Sequence, residues 1–115
     1  MASVIESLGE AIALMRKSGV ALQRFVEILT GSLFAAPVYQ TYGELIVSEH
    51  YQSAGFKMPL RLVDIRAVLA AAEGKNLPMP VASLVRDHLI SGIARGKADL
   101  DWSAPARVAA ENAGL

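Results

Sequence analysis

The stretch Gly55–Glu73, GFKMPLRLVDIRAVLAAAE, decides how the rest of the chain reads. It opens on a loop signal, and from Leu60 to Ala72 its only charged residues are Arg61, Asp64 and Arg66. Leu60, Leu62, Val63, Ile65, Val68 and Leu69, with Ala67, Ala70, Ala71 and Ala72 between them, make a helix that is apolar on nearly every side. Such a helix is buried in a bundle or spans a membrane, and three charges in so short a run argue against the membrane. The expectation is the buried central helix of a helical domain. Asp64 is its exception, because a carboxylate among apolar groups must be paired, hydrated or neutralised. The simpler reading is an ion pair with Arg61 one turn away; the functional one is a carboxylate facing a cleft.

Outward from this helix, the composition sets limits. The chain has 115 residues, 53% hydrophobic and 19% charged, which fits one domain with a core of its own and excludes disorder. Net charge is zero and no basic stripe occurs, so the footprint of a nucleic-acid binder is absent. Without cysteine there is no disulfide framework, thiol nucleophile or cysteine metal site. His50 and His88 lie far apart with no ligand spacing, and no metal is expected. No apolar run reaches transmembrane length, and acidic residues stand where a signal peptide would be basic. The expected location is cytoplasmic.

Upstream, Ser3 to Ser18 reads as an amphipathic helix with Ile5, Leu8, Ile12 and Met15 on one stripe. Ser3 and Glu6 have capping-box spacing at its start, and Gly19 suits the position after its end. A second helix from Ala21 to Thr30 buries Leu22, Phe25, Val26 and Leu29. After the apolar connector Leu33–Ala36, Pro37 fits the first turn of a third helix carrying Tyr39, Tyr42, Leu45 and Ile46. Gly43 inside it suggests a close approach of another helix. The two tyrosines read as packing residues rather than a ligand cage.

Ser48 to Gly55 is the most polar loop, and its His50 reads as solvated. Downstream of the central helix, Leu77-Pro78-Met79-Pro80 is a rigid connector. A fifth helix, Val81 to Arg95, buries Val81, Leu84, Val85, Leu89 and Ile93, with His88 read as a satisfied core histidine. Asp99-Leu100-Asp101-Trp102-Ser103 is a turn, its two aspartates read as surface caps, leading to a last short helix through Glu111. Trp102, the lone tryptophan, is expected to anchor this tail. There is no strand-like alternation, no Gly-rich phosphate loop, and no GxSxG or HExxH. The fold class is therefore all-α, a single bundle of about six helices.

Four stretches together resemble the C-terminal helical domain of the β-hydroxyacid dehydrogenases: LGEAIALMRKSGV from Leu8, GFKMPLRLVDIRAVLAAAE from Gly55, LPMPVASLV from Leu77 and GKADLDWSA from Gly96. That family includes 3-hydroxyisobutyrate dehydrogenase and tartronate semialdehyde reductase and is related to 6-phosphogluconate dehydrogenase. The resemblance covers almost the whole chain, and each motif is weak alone. It implies that residues 1–115 form the substrate-cleft and dimerisation domain of an NAD- or NADP-dependent oxidoreductase. An N-terminal Rossmann domain, absent from this chain, would hold the cofactor, and a short 3-hydroxy acid or its semialdehyde would be the substrate.

The family's catalytic lysine would lie upstream of Met1, so no catalytic residue is expected here. Phe56 and Asp64 match the family's cleft-lining phenylalanine and aspartate. The lysine that in the family reaches the cofactor is Val63, so no cofactor-binding residue is assigned; Lys57 is a weak substitute. No tight cofactor binding and no turnover are expected from the chain alone, and a homodimer is the expected assembly. A free-standing, non-catalytic helical interaction module derived from the family is the alternative.

Overall fold

In the computed structural model, residues 1–52 and 54–115 are described. They form six helices: α1 (Ala2–Lys17), α2 (Leu22–Thr30), α3 (Pro37–Ser48), α4 (Met58–Glu73), α5 (Pro80–Ala94) and α6 (Ala106–Asn112). Among the described residues the sole β pairing is an isolated antiparallel bridge between Lys57 and Asp101. Proline sets several of these starts, at Pro37, Pro59 and Pro80, where a fixed φ is helical already and the missing N–H is not needed. Gly19 and Gly96 follow α1 and α5 with φ of 72° and 78°, the left-handed exit that a side chain would strain.

The helix at the centre is α1. It touches α2, α3, α5 and α6, and its Ile5, Leu8 and Ile12 are almost fully buried. Two glycines make this packing possible. A Cβ on Gly9 would lie 2.7 Å from the Ala106 Cα, so α6 starts directly against the α1 backbone. A Cβ on Gly43 would lie 2.9 Å from Val26 Cγ1, which confirms the close α2–α3 approach. The capping box does not form. The cap of α1 is Met1, the Ser3 carbonyl accepts from the Ser7 hydroxyl, and Glu6 turns inward to His88.

The expectation of a buried central helix at Leu60–Ala72 is corrected. Helix α4 lies at the edge of the bundle and packs mainly on α5, burying Met58, Leu62 and Ala72. Met58 is wholly buried, its sulfur seated 3.0 Å from where a Cβ on Gly92 would be. The rest of its surface carries Leu60, Val63 and Val68, which are 55%, 62% and 46% exposed. The apolar pattern on every side is real, but only one side has a partner within the described residues.

Candidate cleft face at the start of α4

The loop entering α4 is strapped to the turn before α6 by backbone hydrogen bonds. The Asp101 N–H donates to the Tyr51 carbonyl at 2.9 Å, the Trp102 N–H to the Phe56 carbonyl at 2.8 Å, and the Met58 N–H to the Leu100 carbonyl at 3.4 Å. Asp101 is buried, not a surface cap as its turn composition suggests. One of its oxygens accepts the Ser103 N–H at 3.0 Å and the Ser103 hydroxyl at 2.6 Å; the other accepts the Phe56 N–H at 3.4 Å. An aspartate that bonds the N–H two residues on closes an Asx turn, and here it also fixes the backbone of Phe56. Asp99 stays in solvent with Lys57 at 2.7 Å, and that hydrogen bond holds its carboxyl below the usual range.

Trp102 does anchor the tail. It is buried, its indole N–H donates to the Tyr42 hydroxyl at 3.2 Å, and the two rings meet edge to face at 5.5 Å. From α4, the Arg61 guanidinium carbon lies 4.1 Å from the centre of the Trp102 ring and 4.8 Å from that of Phe56. A guanidinium over an aromatic face is attracted by the ring's quadrupole. Nη1 of Arg61 reaches Asp64 at 3.3 Å, so the expected i, i+3 pair is present, while the buried Nε has no acceptor among the described residues.

The two sequence-derived cleft residues are thus brought onto one side of the molecule. Phe56 is half-buried, and the Asp64 side chain is 54% exposed beside the exposed Val63. The arrangement offers an aromatic wall, an accessible carboxylate and a stacked cation. It holds no nucleophile paired with a base, and the described residues contain no cluster able to bind a metal. His50 is exposed at the far end of α3, and His88 pairs with Glu6 at 2.8 Å, so neither belongs to this face. Sequence reading missed the stacking of Arg61 and the inward turn of Asp101. The Asp-x-Ser spacing signalled the second.

Over residues 1–109 the chain matches the family described as NAD-binding of NADP-dependent 3-hydroxyisobutyrate dehydrogenase. It is 41% identical over 104 residues to the uncharacterized oxidoreductase YfjR of Bacillus subtilis, covering 90% of this chain and 36% of that protein. With glyoxylate/succinic semialdehyde reductase 1 of Arabidopsis thaliana the identity is 27%, covering the same 90% and 36%. The chain therefore spans about a third of the length of the curated relatives it matches. The crystal structure of 3-hydroxyisobutyrate dehydrogenase from Salmonella typhimurium superposes with a TM-score of 0.82 at 22% identity, covering 93% of this chain and 38% of that one. The Mycobacterium tuberculosis 3-hydroxyisobutyrate dehydrogenase gives 0.78, again at 22% identity and with the same coverage. These two show the fold.

Proposed function

Because the chain belongs to the NADP-dependent 3-hydroxyisobutyrate dehydrogenase family, we propose that it is the substrate-cleft and dimerisation domain of an NAD(P)-dependent oxidoreductase. The substrate is a short 3-hydroxy acid or the matching semialdehyde. The observation that carries this reading is that Phe56, in the loop entering α4, and Asp64, on α4, both meet Arg61, with Phe56 tied by its backbone to the buried Asp101. Phe56 supplies an apolar wall that excludes water from one side of a small substrate. Asp64 supplies an acceptor for a hydroxyl.

In this reading the described residues contribute to a dinucleotide site without holding the dinucleotide by themselves. A Gly-rich turn after a strand, which binds the pyrophosphate, is missing, and Val63 offers no donor where the family's lysine would stand. NAD or NADP therefore belongs with a nucleotide-binding domain outside this chain, and the chain alone is expected to be inactive. The exposed apolar side of α4, Leu60 and Val63 foremost, supports a covering surface there, either that domain or the α4 of a second copy in a homodimer. The same surface also favours the second reading, a non-catalytic interaction module.

The test pairs two assays with short semialdehydes and NAD(P)H. The purified chain is expected to give no oxidation of the reduced cofactor. Put in place of the matching segment of YfjR, it is expected to give a fused enzyme that turns over. Turnover by the chain alone would sink the domain reading, and a folded but inert fusion would move the assignment to the interaction module.

A further inference from the structure

We propose that Arg61 is the positioning residue of this face, holding the Phe56 ring and the Asp64 carboxylate in one fixed arrangement against Trp102. The proposal rests on the reading of Phe56 and Asp64 as cleft residues, and its geometry stands on its own. Arg61 is the side chain that meets all three groups: 4.8 Å to the Phe56 ring, 4.1 Å to the Trp102 ring, and 3.3 Å from Nη1 to Asp64.

These contacts are not equivalent. Trp102 is the fixed end, buried at 5% exposure and held by its backbone bond to Phe56 and its indole bond to Tyr42. Phe56 and Asp64 are the loose ends. The loop backbone of Phe56 is tied down, but its ring is only half-buried, and the only protein hydrogen bond to the Asp64 carboxylate among the described residues is the one from Arg61. Arg61 lies between fixed and loose, with its own side chain 23% exposed.

A planar guanidinium suits that task because it stacks flat on a ring while its edge donates sideways; an ammonium cannot do both. The position is not chosen for hydrogen bonding, since a buried Nε without an acceptor is unfavourable. The stacking contacts on Phe56 and Trp102 are what the position provides, and in this proposal they order the Phe56 ring. Salt-bridge strength matters less here, because a half-exposed pair at 3.3 Å contributes little.

Nuclear magnetic resonance on the purified chain tests this with R61M and R61K. Both variants are expected to keep the far-ultraviolet helical signal and the cross-peaks between Trp102 and Tyr42. Both should lose the cross-peaks between the side chain at position 61 and the Phe56 ring, whose shifts should collapse toward averaged values, while the backbone contact of Phe56 with Trp102 persists. Failure of lysine to rescue identifies geometry rather than charge as the cause. Unchanged Phe56 signals in R61M would overturn the proposal, and so would loss of the Trp102–Tyr42 contact, which would make Arg61 a core packing residue. In the YfjR fusion, R61K is expected to raise KM about tenfold, about 1.4 kcal/mol, with kcat moving less. If F56A leaves that enzyme unaffected while Arg61 still orders Phe56 in the free chain, the cleft reading fails and the positioning role stands.

Discussion

Oε2 of Glu6 lies 2.8 Å from Nδ1 of His88, joining α1 to α5 across the bundle. Burial pushes the Glu6 carboxyl up from 4.5, against the opposing pull of the His88 hydrogen bond. In the folded chain Glu6 therefore keeps its proton to a higher pH than in the unfolded one. Its stabilising contribution is complete below 4.5 and is lost as pH rises through the raised value. E6Q is expected to be at least as stable as the parent at pH 7, with the difference fading toward pH 4; calorimetry across that range checks it. H88A strands a buried carboxylate and is expected to cost about 1–3 kcal/mol at pH 7.

The Asp101 turn gives a second expectation. D101A removes the acceptor for the Ser103 N–H, the Ser103 hydroxyl and the Phe56 N–H together. A loss of about 2–3 kcal/mol is expected from stranding these donors, with Trp102 emission moving to longer wavelength as its turn opens to water. Denaturant unfolding followed by fluorescence reads both at once. A stable variant with unshifted emission would show that the backbone bonds suffice.

Two glycine substitutions should differ in severity. In G9A the new methyl meets the Ala106 Cα at 2.7 Å, and backbone cannot step aside as a side chain can. In G43A the clash is with one Val26 methyl at 2.9 Å and with no backbone atom, so a small shift of α2 relieves it. G9A is expected to cost about 3 kcal/mol or more, and G43A about 1 kcal/mol. Equal melting points for the two would contradict the packing described for α1 and α6.

The outer side of α4 makes the assembly testable. If a second copy covers it, the parent chain sediments as a dimer and V63E sediments as a monomer. V63K, which places there the residue type that the family resemblance implies, changes a 62% exposed position, so its effect on the folding stability of the isolated chain is expected to stay within about 0.5 kcal/mol. Sedimentation equilibrium with thermal melting covers both variants.

Much of this was legible in the residues. The stripe Ile5, Leu8, Ile12, the prolines at helix starts and the glycines after α1 and α5 carry strong local signals, and each acts as local physics dictates. Gly43 also announced its close contact, since glycine within a helix needs a reason. The place of α4 was not legible. Apolar patterning reports which faces avoid water, not which partner covers them, and Leu60 and Val63 look the same in sequence whether the cover is inside the chain or outside. Asp101 and Arg61 failed for another reason. Their roles depend on contacts 45 and 41 positions away in sequence, to Phe56 and Trp102 respectively, which periodicity cannot register.

The edge position of α4 has a consequence for how the molecule breathes. Regions with few buried neighbours open locally at lower free energy than the core, so α4, the outer arm of the α4–α5 hairpin with three buried residues against six in α1, is expected to open before α1. Its amides should exchange with deuterium well before those of α1. Anything that binds the closed form and not the open one adds its binding free energy to the protection of α4. Slowed exchange along Leu60 to Ala71 would then map the covering surface residue by residue, whether that surface is a neighbouring domain or another copy.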